Sequence, residues 1–301
     1  MIYTVKDKTQ INILHKPTAE EPFVLIYKPR GLASAPLTEN DKINALSMTA
    51  EQFPQIKSVQ GKKEIEYGLV HRIDTDTDGL LLIASDQNFY DFIIEEQQND
   101  RFIKTYHAYC DFFENISEYK EGFPVCENST KIKNLKDGES ITFIQKSAFR
   151  PFGPGRREVR PVVPQSNTAA LKKSGDKIYT TEISVTKLVG QRNDESLAND
   201  VISSTDFSYT ALCKISNGYR HQVRCHLAWC GLPVTGDRKY NPSYQITSTN
   251  LNDENILENK KTLSKDLPSK EFSFTASGLQ FRNYLCPEGD LNSYEIALTS
   301  T

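Results

Sequence analysis

The segment from His71 to Ala84 reads HRIDTDTDGLLLIA. A histidine, an arginine and three aspartates stand directly against an apolar run. A surface loop has no use for such a run, and a buried strand does not tolerate such charges. Side chains held at this seam are partly desolvated, which is where carboxylates acquire chemical use. Asp74 lies between Ile73 and the apolar run, on the inner edge of the turn, so it needs a cationic partner to stay ionised. Asp76 and Asp78 read instead as a solvated turn bonding to local backbone N–H groups.

Cationic partners are offered by NGYRHQVRCHLAWCGLPVTGD. Arg220 and Arg224 sit four apart, on one face at the start of a helix. HRID also suits a kinase catalytic loop, but the Gly-rich loop, strand lysine and Asp-Phe-Gly that such a loop requires are missing. A metal site through His71, Asp74, Asp76 and Asp78 would lack the glycine and terminal glutamate of a calcium loop. No metal is expected, and His226 reads as structural.

The 301 residues suffice for one large or two modest domains. Hydrophobic residues at 38% and charged ones at 25% fit a globular chain, and a net charge of -3 gives no global sign of a polyanionic partner. The start, MIYTVKDKTQINIL, has no apolar targeting core, and the longest apolar run is too short to span a membrane. The six cysteines show no paired short spacing and read as reduced, mostly buried thiols. These features predict a cytoplasmic protein with no membrane association.

The elements that must position the seam follow from patterning. Phe23 to Tyr27 reads as a strand ended by Lys28-Pro29-Arg30-Gly31. Residues 41–55 are weakly helical. EYGLVHRIDTDTDGLLLIASD predicts strand, polar loop, strand. Asp86 starts a helix with Phe89, Phe92 and Ile93 apolar. RFIKTYHAYCDF, YTTEISVTKLV, FSYTALCKIS and EFSFTASGLQF alternate as strands. RHQVRCHLAWC reads as a helix with Val223, Leu227 and Cys230 on one face. Residues 146–177 carry eight basic and two acidic side chains among many prolines and glycines, which predicts a basic loop. Residues 190–206 read as a polar loop and 241–270 as a surface insertion. Patterning alone supports an α+β class.

These residues resemble the RluA-type RNA pseudouridine synthases. HRIDTDTDGLLLIA is similar to the family signature His-Arg-Leu-Asp-x-x-Thr-Ser-Gly-Leu-Leu-Leu. YKPRGL resembles its Lys-Pro-x-Gly opening and KTYHAYC its Lys-x-Tyr-x-Ala strand. GYRHQVRCHLAWCGLPVTGDRKY resembles its Gly-Arg-x-His-Gln-Ile-Arg-x-His-Leu segment and the turn that follows, and FTASGLQF its closing strand. The five motifs run in family order from about residue 23 to 284. Asp78 stands where the family usually has Ser, Tyr219-Arg220 replaces its usual pair before His221, and Arg30 fills the variable opening position.

The resemblance implies a pseudouridine synthase fold: a mixed, mostly antiparallel central sheet flanked by helices, with a central active-site cleft. It implies a single catalytic domain over residues 1–301, with its core at 20–240 and 271–290 and no separate N-terminal RNA-binding domain. The activity implied is isomerisation of uridine to pseudouridine in structured ribosomal or transfer RNA. Because the product is an isomer, no cofactor is expected. Asp74 matches the catalytic aspartate, Arg224 the arginine that keeps it charged, and Tyr106 the active-site tyrosine. Arg72 would fill the gap left by a flipped uridine. His71, Thr77, Arg220, His221, Gln222 and Leu227 would contact substrate or hold the site. Arg150, Arg156, Arg157, Arg160, Lys172 and Lys173 would meet RNA phosphates, with Phe149 and Phe152 stacking on bases. A monomer with no obligate protein partner is expected. Two rivals remain: an inactive RNA-binding protein of the same fold, and a hydrolase, which would need a second carboxylate such as Asp76 to activate water.

Overall fold

A computed structural model describes residues 1–189, 209–243, 271–289 and 291–297. The polar loop read at 190–206 and nearly all of the insertion read at 241–270 lie outside them. Where that insertion begins, Asn241 is fully buried and donates from Nδ2 to Asp111 Oδ2 at 2.7 Å and to the Val234 carbonyl at 3.0 Å. The surface character expected from residue 241 onward is therefore corrected for Asn241.

The strands are β1 (Ile2–Tyr3), β2 (Asn12–His15), β3 (Phe23–Lys28), β4 (Asp78–Ala84), β5 (Ile103–Cys110), β6 (Ser140–Phe152), β7 (Glu158–Val162), β8 (Tyr179–Lys187), β9 (Tyr209–Ile215), β10 (Phe274–Arg282) and β11 (Leu291–Ile296). The helices are α1 (Ala45–Gln52), α2 (Gln87–Gln98), α3 (Asn128–Lys133), α4 (Thr168–Lys173) and α5 (Gln222–Trp229). Parallel and antiparallel pairings coexist, the antiparallel ones in the majority, so the fold is α+β. The described residues divide into two compact units, and the chain passes between them repeatedly.

The first unit takes residues 1–107, 214–220 and 274–301. Here β2, β3 and β4 pair antiparallel, β4 runs parallel to β10, and β11 pairs with β10 and β1. Every residue of β3 and β4 is buried. That explains their unbroken apolar runs, because a strand covered on both faces has no polar side to show. Asp86 caps α2 by accepting from the N–H groups of Asn88 and Phe89 at 2.9 and 3.2 Å. The helix turns Phe89 and Ile93 into an aromatic core with Phe23, Phe281 and Tyr294; the Phe23 and Phe89 rings stack at 5.0 Å. Glu96, wholly buried on the same helix, is held by Arg101 and Arg282 at 2.8 Å each. The strand read before His71 does not form. Leu69 makes only an isolated bridge to Ile83.

Gly79 makes the parallel β4–β10 pairing possible. Its φ is +125°, and a Cβ there would lie 2.2 Å from the Ala276 carbonyl oxygen. Gly79→Ala is expected to destabilise the fold by more than about 2 kcal/mol, because strain at positive φ adds to a backbone clash. Urea unfolding of the two proteins measures it.

The second unit takes residues 108–213 and 221–273. Residues 146–177, expected as a loop, contain the end of β6, all of β7 and α4. The 13-residue β6 pairs antiparallel with β8 along Ser140–Ser147 and with β7 along Ala148–Phe152. α5 packs on β7 and β8 with all eight residues buried. The single apolar face expected for it is therefore wrong: the helix is covered all round. Of the cysteines, only Cys286 is exposed and none is disulfide-bonded. No described helix is long and apolar enough to cross a membrane.

Candidate active site

In the first unit, the loop from His71 to Thr77 is held at successive points by the KPRGLAS segment. Ser34 Oγ donates to the Ile73 carbonyl at 2.7 Å and accepts from the Ile73 N–H at 3.2 Å. Gly31 N–H donates to the Thr75 carbonyl at 2.8 Å. Lys28, fully buried, reaches the carbonyls of Leu32, Pro29 and Thr75 at 2.7, 3.0 and 3.4 Å. Burial pulls the Lys28 ammonium down to about 8, against the pull of Asp78, Asp74 and Asp76. The loop closes on itself where Thr77 N–H meets the Asp74 carbonyl at 3.0 Å. Asp74 thus stands half-buried on a fastened backbone. Ser34→Ala removes the side chain that both donates to and accepts from Ile73. It is expected to cost about 1 kcal/mol of stability and to lower turnover more than it changes substrate affinity, read from steady-state kinetics and a thermal melt.

Asp78 corrects the solvated-turn reading. It begins β4, is only 6% exposed, and accepts from Tyr27 Oη at 2.5 Å, Arg30 Nη2 at 3.2 Å and Thr275 Oγ1 at 3.2 Å. Its partners are side chains from β3, the turn after it and β10, rather than local N–H groups. The two family departures, Arg30 and Asp78, therefore form an ion pair with each other. Asp76 is exposed, as expected of a turn residue.

Tyr106 lies on β5, 8% exposed, with its ring stacked on Phe274 at 5.3 Å and 5° between planes. One face of the ring is therefore already covered. Burial, and then the charge of Asp74, raise its hydroxyl well above the usual phenol range, so it stays protonated at neutral pH. Asp74 and Tyr106 thus act on each other within one unit.

Arg72 is exposed and pairs with Glu66 at 3.1 Å, not with Asp76. His71 is given another task than substrate contact: its Nε2 accepts from the Leu82 N–H at 3.1 Å, and its ring meets Phe102 edge-on at 5.4 Å. Burial, then the charge of Lys104, pull it down to about 3, so it is neutral with its proton on Nδ1. Thr77 is 1% exposed, a buried turn residue rather than a contact. Arg220 precedes α5 and is exposed, whereas Arg224 lies within it at 2%; the shared face expected for them does not exist.

In the second unit, Arg224 makes a bidentate pair that the sequence reading missed. Its Nε donates to Asp237 Oδ2 at 2.8 Å and its Nη2 to Asp237 Oδ1 at 2.7 Å. Asp237 also accepts from the N–H groups of Lys239 and Tyr240 at 2.9 and 3.2 Å. Burial pushes the Asp237 carboxyl up, but the Arg224 charge and these hydrogen bonds outweigh it and hold the group below its ordinary value. The aspartate in VTGD, thirteen residues after the arginine, was the available signal. Helix α5 opens on His221, whose left-handed backbone (φ 57°) is held where Nδ1 meets Tyr240 Oη at 3.0 Å. Gln222 donates to the Thr180 carbonyl at 3.0 Å and Thr181 Oγ1 at 3.1 Å, so it ties the helix to β8. Leu227 is wholly buried core, not a substrate contact. His226 bonds to Ser147 and Thr181 and is structural.

The basic segment also needs correction. Arg160 is 2% exposed, pairs with Glu158 at 2.8 Å, donates to the Glu121 carbonyl, and lies 4.2 Å over Phe152 and 4.5 Å over Phe123. It is a packing residue, unable to meet a phosphate. Phe149 is 2% exposed and cannot stack on a base. Arg156, Arg157, Lys172 and Lys173 are exposed, and Arg150 is half-buried. Among the described residues, no three metal-ligating side chains cluster.

The RNA pseudouridylate synthase family model matches residues 22–229. The chain is 21% identical over 254 residues, 81% of its length, to the uncharacterized RNA pseudouridine synthase YlyB of Bacillus subtilis, and spans 65% of that relative. The structure of human RNA pseudouridylate synthase domain containing 1 superimposes with a TM-score of 0.52 at 15% identity, covering 97% of this chain and 84% of that one. With the family model spanning well over half of its residues, the chain belongs to the RNA pseudouridylate synthase family.

Proposed function

We propose that this protein isomerises uridine to pseudouridine in a structured ribosomal or transfer RNA. The reaction breaks the bond from ribose C1′ to ring N1, turns the ring, and joins C1′ to C5; C5 loses a proton and N1 gains one. Nothing is consumed, so side chains alone suffice. The observation that carries the reading is Asp74, displayed on a loop fastened at Ile73 and Thr75 and close enough to Tyr106 for its charge to act on the phenol. Asp74 serves as the reacting carboxylate. Tyr106, stacked on Phe274, is the ring assigned to meet the uracil, and its protonated hydroxyl is assigned a part in the proton movement. Arg224, in the second unit, is taken up by the two-pronged bond to Asp237.

A uridine stacked in folded RNA must be flipped out, which costs a few kcal/mol (roughly). Arg72, exposed and paired with the buried Glu66, is the residue proposed to fill the gap. The hydrolytic rival finds no support in the loop. Asp76 is exposed, and Asp78 is occupied by Tyr27, Arg30 and Thr275. The test is tritium release from RNA carrying 5-tritiated uridine, since only attack at C5 liberates that label. Release with matching pseudouridine in the digest supports the reading. Binding without release leaves an inactive RNA-binding protein.

A further inference from the structure

We infer that the tip of the β6–β7 hairpin and the end of α4 form an anion subsite that takes a phosphodiester of the RNA outside the target nucleotide. This rests on the reading of RNA as substrate and goes beyond it by assigning a cavity. The hollow is about 480 Å³ and is lined by Arg150, Pro151, Phe152, Gly153, Arg156 and Lys173. Three of the six linings are cations and none is a carboxylate. Nearby Glu158 is already paired with Arg160, which lies behind the wall, over Phe152.

No carboxylate lines the hollow, although the charge of Glu121 reaches the Arg150 guanidinium. Arg150 and Arg160 face each other across the β6–β7 ladder, and the Arg150 guanidinium lies 4.8 Å over the Phe152 ring. Arg150 Nε is buried and has no hydrogen-bond acceptor among the described residues. A buried N–H on a cation without an acceptor is costly unless something fills the position. Arg156 holds a left-handed backbone, φ 53°, uncommon for a residue with a Cβ, and it puts a second guanidinium on the rim. Lys173, from the last turn of α4, adds a third charge. A phosphodiester has the oxygen that Arg150 Nε lacks and a single charge that three cations more than match. The size and the absence of acids favour it over a peptide carboxylate on a surface that also offers an aromatic ring.

The test measures binding of a fluorescein-labelled RNA stem-loop to the full chain across a salt series. The proteins are the wild type, Arg156→Gln/Lys173→Gln, the same pair with Arg150→Gln, and Lys57→Gln as an exposed charge-loss control. The exposed double variant leaves the Phe152 packing alone, and thermal melts confirm that each protein is folded. The double variant is expected to weaken binding and to make the plot of log affinity against log salt shallower by up to about 0.7–0.9, the contribution of one lost phosphate contact. The control should match the wild type. An unchanged slope in both multiple variants overturns the subsite. So does competition by inorganic phosphate that these variants abolish while the RNA slope stays put, which would assign the hollow to a free anion. Failure of the RNA reading itself shows differently, as absence of wild-type binding or tritium release.

Discussion

Asp74→Asn is expected to reduce product formation by on the order of 10⁴-fold or more, about 5 kcal/mol of lost transition-state stabilisation, while RNA affinity stays within about threefold. The substitution is nearly isosteric and leaves the fastened backbone alone. Ile73 remains tied to Ser34, and Thr75 to Gly31 and Lys28, because those bonds use carbonyls and N–H groups that the change does not touch. What disappears is one negative charge. Affinity is spared because most of it comes from phosphate contacts, to which a carboxylate contributes nothing. The same variant carries an internal control. The Asp74 charge helps keep Lys28 protonated and Tyr106 neutral, so removing it should lower both ionisations, Lys28 from about 8. Nitrogen-15 titration of the lysine would show the electrostatic change in a folded protein. Activity equal to the wild type would sink the proposed chemistry.

How legible this was differs by residue, and the differences have causes. β3 and the run Leu80–Ala84 were readable because strands buried on both faces must be apolar throughout. The cap of α2 was readable because an N-cap aspartate acts on N–H groups two and three residues away. Asp78 was misread because its acceptor roles are filled from distant chain: Tyr27 is 51 residues away and Thr275 is 197. No local pattern contains that information. The basic segment was misread for another reason. Prolines at 151 and 161 imitate a loop, yet both sit in the ladder, opposite Val159 and Phe149. Arg160 looked solvated because charge predicts exposure on average, but a guanidinium can lie flat between aromatic rings, and here it does. α5 hid its contacts because a helix covered all round has no amphipathic period to detect.

Arg224 and Asp237 yield the largest expected effect on stability. Arg224 is 2% exposed and Asp237 is fully buried, so each neutralises a charge that would otherwise be stranded. Asp237→Asn should therefore destabilise the protein by about 3–5 kcal/mol, a fall in melting temperature on the order of 10 °C. Arg224→Met should cost a similar amount, and the double variant much less than their sum, since together the two changes remove the stranded charges. Arg224→Lys would restore the charge but not the two-pronged bond, and is expected to recover only part of the loss. The pH dependence has a definite sign. The folded carboxyl lies below its ordinary 3.8, so its contribution is complete above that value and is lost as pH falls through the lower folded one. The wild type should lose its margin over Asp237→Asn on acidification, measured by urea unfolding at successive pH values. A margin independent of pH would mean that the stabilisation comes from packing rather than charge. A carboxylate that fixes both Nε and Nη2 also fixes the plane of the guanidinium.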